Sequence, residues 1–217
     1  MLVLACQKVG RAEHNFELAH SFANTAEMVT LHFDLVLEVD FKRKVFSGEN
    51  SLKMEVLKDT ETVQLDVWDL KVASVSESGQ VLNFEILNPN PVLGQLLKVK
   101  LPQTKRAGDL LHLKIAYETS PTGIAFSWLT PAQTQTHVLP YLYTQCEPIY
   151  CRSIAPLQDT PSVKSTYSLQ VKAPKEFSVF VSAYEVEKIQ SEGFVVHRFH
   201  QPNLTQSYLL AIVIGNL

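Results

Sequence analysis

Cysteine is scarce in this sequence. The three cysteines among its 217 residues are Cys6, Cys146 and Cys151. An odd number without a C-x-x-C pair argues against a disulfide framework and a thiolate zinc site, and it favours reduced thiols in a cytoplasmic protein. The chain has no apolar run of about 18 residues, so we expect no membrane-spanning segment. Its N-terminal apolar run is too short for a signal peptide and lacks the basic start.

An excess of positive charge is also missing. Nineteen Lys and Arg residues stand against 22 Asp and Glu, which gives a net charge of −3. Without a basic cluster, nucleic acid is excluded as an expected partner. Apolar residues make up 46% of the chain, enough to build a core. No repeat, linker or low-complexity tract divides the sequence, so we predict a single β-rich domain over residues 1–217.

The usual signatures of catalysis are absent too. The seven histidines include no i, i+4 pair, the spacing that presents two zinc ligands from one helical turn. His32 and His112 fall on the polar side of predicted strands, where solvation accounts for them. There is no Gly-x-Ser-x-Gly nucleophile motif and no Gly-rich phosphate loop. We therefore predict no catalytic residue, no metal site and no cofactor in this chain.

The dominant pattern is an alternation of apolar and polar residues with a period of two. Between Val29 and Asp40 the odd-numbered residues are apolar and the even-numbered ones polar, except Val36, which predicts a long half-buried strand. Helix evidence is limited to one turn near Arg11 to Leu18. We predict an all-β fold of packed antiparallel sheets, sandwich-like in its layering. The alternation recurs in residues 63–67, 111–117, 167–171 and 177–181.

Two shorter patterns predict a turn and a buried strand. Ser47-Gly48 is a turn signal between apolar runs. Residues 206–214 end in an almost continuous apolar run, which is typical of a strand covered on both faces.

Residues 143–161 hold the candidate binding segment. If residues 143–147 are extended, Gln145 and Glu147 project side by side on one face, because side chains alternate along a strand. Cys146 lies between them in this segment, with its thiol directed towards the core. A carboxylate beside an amide oxygen suits an ammonium group, because charge-assisted hydrogen bonds are the strong ones. On the residues alone, a solvated polar pair is the competing interpretation.

Several motifs along the chain resemble those of one enzyme family, the M1 zinc aminopeptidases, in the branch of leukotriene A(4) hydrolase and aminopeptidase B. The stretch that begins at Trp128 resembles that branch's Trp-Leu-x-Pro-x-Gln-Thr motif. The next matching segments follow at the spacing seen in the family. They are Pro140-Tyr141-Leu142-Tyr143-Thr144-Gln145-Cys146, Cys151-Arg152-Ser153-Ile154 and Asp159-Thr160-Pro161-Ser162-Val163-Lys164.

The resemblance implies a fold and a role for these residues. The corresponding domain of the family is a saddle-shaped β-rich unit that packs on a zinc-containing catalytic domain. By position, Gln145, Cys146 and Glu147 would form its substrate-binding segment, with Gln145 and Glu147 binding the free α-amino group of a peptide. Arg152 and Asp159 would be structural. Neither His-Glu-x-x-His nor Gly-x-Met-Glu-Asn occurs in this sequence.

These absences leave two functional hypotheses. In the first, the chain is the non-catalytic N-terminal domain of a cytoplasmic zinc aminopeptidase, whose catalytic domain and peptide substrate would be its partners. In the second, it is a naturally short, catalytically inactive binding module. Leukotriene hydrolases usually carry glutamine where this chain has Glu147, which favours peptides as the parent's substrates over leukotriene A(4), an epoxide.

Overall fold

The structure, a computed structural model, describes residues 20–216, and its regular structure is nearly all β. The helical turn predicted near residues 11–18 lies outside the described residues. The helical elements within them are three 3-10 turns, at Pro131–Gln133, Cys151–Ser153 and Ser207–Leu209. The strands are β1 (Met28–Asp40), β2 (Val45–Val56), β3 (Thr60–Val67), β4 (Lys71–Glu77), β5 (Gln80–Val81), β6 (Phe84–Asn90), β7 (Gly94–Lys105), β8 (Leu110–Glu118), β9 (Phe126–Leu129), β10 (Tyr141–Thr144), β11 (Lys164–Pro174), β12 (Ser178–Val181), β13 (Tyr184–Gln190), β14 (Phe194–Gln206) and β15 (Ile212–Gly215).

The strands form three sheets around one hydrophobic core. The largest has the order β13-β14-β11-β1-β2-β8-β4-β5, the second β12-β15-β10-β9 and the third β3-β7-β6. All strand pairs but one are antiparallel within the described residues. The exception is β1 with β11, which run parallel. Apolar side chains from all three sheets meet in a single buried cluster. The predicted all-β fold is confirmed, with this one parallel pair as a refinement.

The alternation in β1 is only partly as predicted. Phe33, Leu35, Leu37 and Val39 are buried, but at the start of the strand Met28 and Thr30 are buried instead of the odd-numbered residues. A register shift between Thr30 and His32 reverses the parity.

The buried polar groups at this shift are satisfied by Gln158. Its side-chain oxygen accepts hydrogen bonds from the Thr30 amide at 2.8 Å and the Thr30 hydroxyl at 2.9 Å, and its Nε2 donates to the Met28 carbonyl at 3.0 Å. The Gln158 amide therefore satisfies the polar groups of a threonine that the alternation placed on the solvent side and that the register shift buries.

Two local predictions were wrong. Ser47-Gly48 is not a turn but lies inside β2, where the missing side chain of Gly48 allows β1 to approach closely. A Cβ on Gly48 would lie 2.5 Å from the Val36 carbonyl oxygen. Residues 206–214 are not one strand, since the 3-10 turn at Ser207–Leu209 comes first and the strand begins at Ile212. Leu209 is half exposed, and Val213 is only partly covered.

Candidate amine-binding site

The candidate segment continues the alternation of β10 beyond the last residue of the strand. Tyr143, Gln145 and Glu147 are exposed, whereas Thr144 and Cys146 are buried. Gln145 and Glu147 therefore lie on one side of the segment, as predicted from an extended backbone. Cys146 is only 2% exposed, so its thiol packs in the core and cannot reach a ligand bound on that side. Of the three predicted site residues, two present their side chains to the surface.

A partly apolar row crosses the second sheet beside this segment. Tyr143 pairs with Val213 across β10 and β15, and Val213 pairs with Phe180 across β15 and β12. Paired residues point to the same face, so the three side chains form a row that we call the Tyr143 row. Tyr143 is 41% and Phe180 55% exposed, and Val213 between them is partly covered. Sequence reasoning did not identify Val213 or Phe180, because they come from strands far along the chain from residues 143–147.

The start of the segment is held by two hydrogen bonds to neighbouring elements. The buried Thr144 hydroxyl accepts from the Ile212 amide at 2.9 Å, where β15 begins. The Gln145 amide donates to the Ala125 carbonyl at 2.8 Å, just before β9. After Glu147, whose peptide bond to Pro148 is cis, the chain turns back towards the core. There the Tyr150 ring meets Trp68 edge-on, with 6.4 Å between ring centroids.

A buried charge network lies directly after this turn. The Arg152 side chain is fully buried, and its Nε donates to Asp159 Oδ2 at 3.1 Å. Its terminal nitrogens donate to three backbone carbonyls. One of these nitrogens, Nη1, also lies 3.5 Å from Oδ1 of the Asp66 carboxylate. The carbonyls belong to Leu93 at 2.6 Å, His20 at 2.8 Å and Asp159 at 2.7 Å. Arg152 thus joins the 151–159 segment, the third sheet and the start of the described chain.

Asp66 anchors the same network from β3. Its carboxylate accepts hydrogen bonds from the Ser21 hydroxyl at 2.5 Å, the Phe22 amide at 2.7 Å and the Asp159 amide at 3.0 Å. Burial nevertheless raises the pKa of Asp66 to about 6, because desolvation outweighs the attraction of Arg152 and these donors. Burial also raises the pKa of the Cys151 thiol, so this cysteine is kept protonated and unreactive.

Histidines and carboxylates elsewhere do not assemble a metal centre. His32 lies on the solvent side of β1, with Nε2 3.2 Å from Asp34 Oδ1. This hydrogen bond lowers the pKa of Asp34. Across residues 20–216, no group of three or more His, Cys, Asp or Glu side chains is arranged to hold a metal ion. In the same part of the chain, no helix is long and apolar enough to cross a bilayer.

Comparison with known proteins agrees with the fold. The profile of the peptidase M1 N-terminal domain matches residues 29–209. The chain belongs to this family. It is 35% identical over 201 residues to leukotriene A-4 hydrolase of Xenopus laevis, covering 91% of this chain and 33% of that protein. It is 33% identical over 205 residues to leucine aminopeptidase 2 of Phaeosphaeria nodorum, with the same two coverages. The chain thus spans about a third of the length of the curated relatives it matches.

Solved structures of similar proteins share this fold. Native yeast LTA4 hydrolase superposes with a TM-score of 0.83 at 30% identity, over 91% of this chain and 30% of that one. An M1 zinc metallopeptidase from Deinococcus radiodurans shares the fold, with a TM-score of 0.72 at 21% identity over 87% of this chain and 42% of that one. The predicted resemblance to the M1 family is confirmed.

Proposed function

We propose that this domain supplies part of the amine-binding subsite of an M1 aminopeptidase, with Glu147 as the main anchor for the substrate's α-ammonium group. The observation that supports this most is the exposure of Gln145 and Glu147 on one side of a segment whose other side is packed in the core. A substrate could meet both side chains at once, while the buried residues keep the segment in place.

The chemistry of the two side chains fits a primary ammonium. An ammonium group carries three N–H donors, and a carboxylate and an amide oxygen are both acceptors. The bond to the carboxylate is charge-assisted and the bond to the amide is not, so Glu147 contributes more than Gln145. A hydrogen bond to a charged group is worth about 1.5–3 kcal/mol, or roughly ten- to a hundredfold in affinity. An N-acetylated peptide has no ammonium and would lose this bond.

We propose that a catalytic domain covers the Tyr143 row. The relatives are about three times as long as this chain, so their remaining length can supply such a domain. An exposed aromatic pair next to a polar binding segment is the composition expected of an interface between domains of one enzyme. Docking there would place Gln145 and Glu147 at the edge of the interface, where they would form one wall of a cleft.

Zinc and peptide hydrolysis would belong to the enzyme that contains this domain. Relatives from Deinococcus radiodurans are zinc metallopeptidases, but the described residues here lack a ligand cluster. We therefore assign the metal to the catalytic domain and give this chain the binding role. An acidic residue at position 147 favours a cationic amine over a neutral epoxide, so we propose peptides as the substrates. The same proposal places the enzyme in the cytoplasm, where Cys146 and Cys151 stay reduced.

A chimeric enzyme can test the proposal. The matching third of leucine aminopeptidase 2 from Phaeosphaeria nodorum would be replaced by this chain, and kcat/KM measured on a leucyl tripeptide with a free or an acetylated amine. We expect Glu147→Ala to lower kcat/KM for the free peptide by about ten- to a hundredfold, with little effect on the already poor acetylated substrate. Gln145→Ala should lower it less.

Glu85→Ala is the matched control, because Glu85 is an exposed glutamate on β6 in the third sheet. It should leave both substrates unaffected. If Glu147→Ala retains full activity and still discriminates against the acetylated peptide, Glu147 is not the amine anchor. The alternative of a solvated polar pair, in a domain that only binds or supports, would then be the better description.

A further inference from the structure

A closed ring of four hydrogen bonds encloses the turn that carries Glu147. The Gln145 amide donates to the Ala125 carbonyl at 2.8 Å, and the Ala125 amide donates to the Ser153 hydroxyl oxygen at 3.1 Å. The Ser153 hydroxyl donates in turn to the Tyr150 carbonyl at 2.8 Å. The Tyr150 amide donates to the Cys146 carbonyl at 2.7 Å, which returns the ring to the residue next to Gln145.

Ser153 contributes the only side chain in this ring. Its other members are backbone groups, which any sequence would supply at these positions. The Ser153 side chain is fully buried, and its hydroxyl acts as donor and acceptor at the same time. A nucleophilic role is excluded by this burial. What the hydroxyl does is connect the loop before β9 to the turn at residues 147–150.

We infer that Ser153 is a positioning residue, which sets the orientation of Glu147 towards the substrate's ammonium group. This inference rests on the proposed function of Glu147. Glu147 itself is exposed and follows a strand that ends at Thr144, so its place depends on what holds the turn. A displacement of about 1 Å at a substrate-positioning group can cost up to roughly a hundredfold in rate.

Ser153→Ala isolates the contribution of the hydroxyl. The Tyr150 carbonyl keeps the backbone amide of residue 153 as a donor at 3.0 Å, but the Ala125 amide loses its acceptor. The side chain loses one oxygen atom, so packing changes little. A buried amide without an acceptor is unfavourable, and the loop before β9 should move to restore a partner for it. The Gln145 amide, which is bonded to the Ala125 carbonyl, would move with that loop.

The first measurement is amide hydrogen exchange in this chain itself. In Ser153→Ala the Ala125 amide should exchange roughly two- to tenfold faster, the factor expected when one hydrogen bond is lost. Amides of β1 in the same variant should keep their wild-type rates. Ser165→Ala is the matched control, because Ser165 is also a buried serine but lies on β11 outside the ring. Unchanged exchange at Ala125 in Ser153→Ala would overturn the inference.

The second measurement is a double-mutant cycle in the chimeric aminopeptidase. We expect Ser153→Ala to lower kcat/KM on the free peptide by about three- to tenfold, mainly through KM. Combined with Glu147→Ala it should cost no more than Glu147→Ala alone, because it acts through Glu147. Losses that multiply would show a general structural role and overturn the inference.

The two proposals fail in different ways. If Glu147→Ala lowers activity and Ser153→Ala does not, the positioning role of Ser153 is wrong and the amine-anchor proposal stands. If Glu147→Ala is fully active, the amine anchor is wrong, and the role assigned to Ser153 falls with it.

Discussion

Replacing Arg152 with methionine should destabilise the domain more than any exposed charge substitution. Methionine is close to arginine in length and keeps apolar contacts, so the substitution mainly removes the guanidinium. Two carboxylates, of Asp66 and Asp159, would remain in the core without their cation. Three backbone carbonyls would also lose a donor, those of Leu93, His20 and Asp159.

The size of the destabilisation follows from the removal of the guanidinium while both carboxylates stay in the core. Breaking a buried ion pair by deleting one partner typically costs about 3–5 kcal/mol, because an uncompensated charge is left behind. The unsatisfied carbonyls add to this cost, although the contributions do not sum independently. A domain of this kind is stable by roughly 5–15 kcal/mol in total, so the variant should approach its unfolding threshold. The loss should be smaller at pH 5 than at pH 7.5, because Asp66, whose pKa is raised to about 6, can then take up a proton.

Urea denaturation monitored by tryptophan fluorescence measures this directly, since Trp128 packs against the core and Trp68 against the Tyr150 ring. Arg43→Met is the control. Arg43 also makes a two-pronged ion pair, with Glu118, but both side chains are partly or largely exposed and solvent screens them. The control should unfold close to wild type. If Arg152→Met lies within about 1 kcal/mol of wild type at pH 7.5, the network is not a principal stabilising element and this reasoning is wrong.

Three further predictions concern pH, packing and association. Because burial raises the pKa of Asp66 in the folded protein from its ordinary value of 3.8 to about 6, its stabilising contribution is complete below pH 4 and is lost as the pH rises through about 6. Relative to Asp66→Asn, the wild-type free energy of unfolding should fall by about 3 kcal/mol between pH 4 and pH 7, and a rise in urea titrations would contradict this. Gly215→Ala should destabilise by roughly 1–3 kcal/mol in the same assay, since its Cβ would lie 2.2 Å from the Tyr141 ring, and a neutral result would show that the ring can move freely. A Tyr143 row that no other domain covers should favour self-association of the isolated chain. Phe180→Asp should therefore reduce self-association in sedimentation velocity, whereas Val81→Asp, on the short β5, should not. Equal effects would argue against the Tyr143 row as an interface.

The sequence predicts the strands well where one face is uniformly apolar. The alternation in residues 111–117 and 167–171 corresponds to β8 and β11, whose odd-numbered residues are buried. It fails at the start of β1, because a register shift exchanges the faces and a distant glutamine satisfies the threonine that becomes buried. The turn signal at Ser47-Gly48 also fails, because Gly48 is required by the close approach of a neighbouring strand and not by a turn in its own backbone.

The sequence predicts which side chains of the candidate site face outward, but not the elements that hold them in place. Alternation alone places Gln145 and Glu147 on one side and Cys146 on the other. The elements that hold the segment could not be predicted, because they come from distant parts of the chain. Ala125 lies twenty residues before Gln145 in the sequence, and Asp66 is separated from both Arg152 and Asp159 by a long stretch of chain. A serine such as Ser153 has no sequence pattern that distinguishes a buried hydrogen-bonding hub from an ordinary small residue.

The measurement that tests the central claim most directly is a crystal structure of the chimeric enzyme with a bound peptide that has a free N-terminus, such as Tyr-Ser-Ala. We predict that the peptide's ammonium nitrogen lies about 2.7–2.9 Å from a carboxylate oxygen of Glu147, with the Gln145 side-chain oxygen as a second acceptor. An ammonium group held by other residues, with Glu147 directed into solvent beyond hydrogen-bonding distance, would contradict the account.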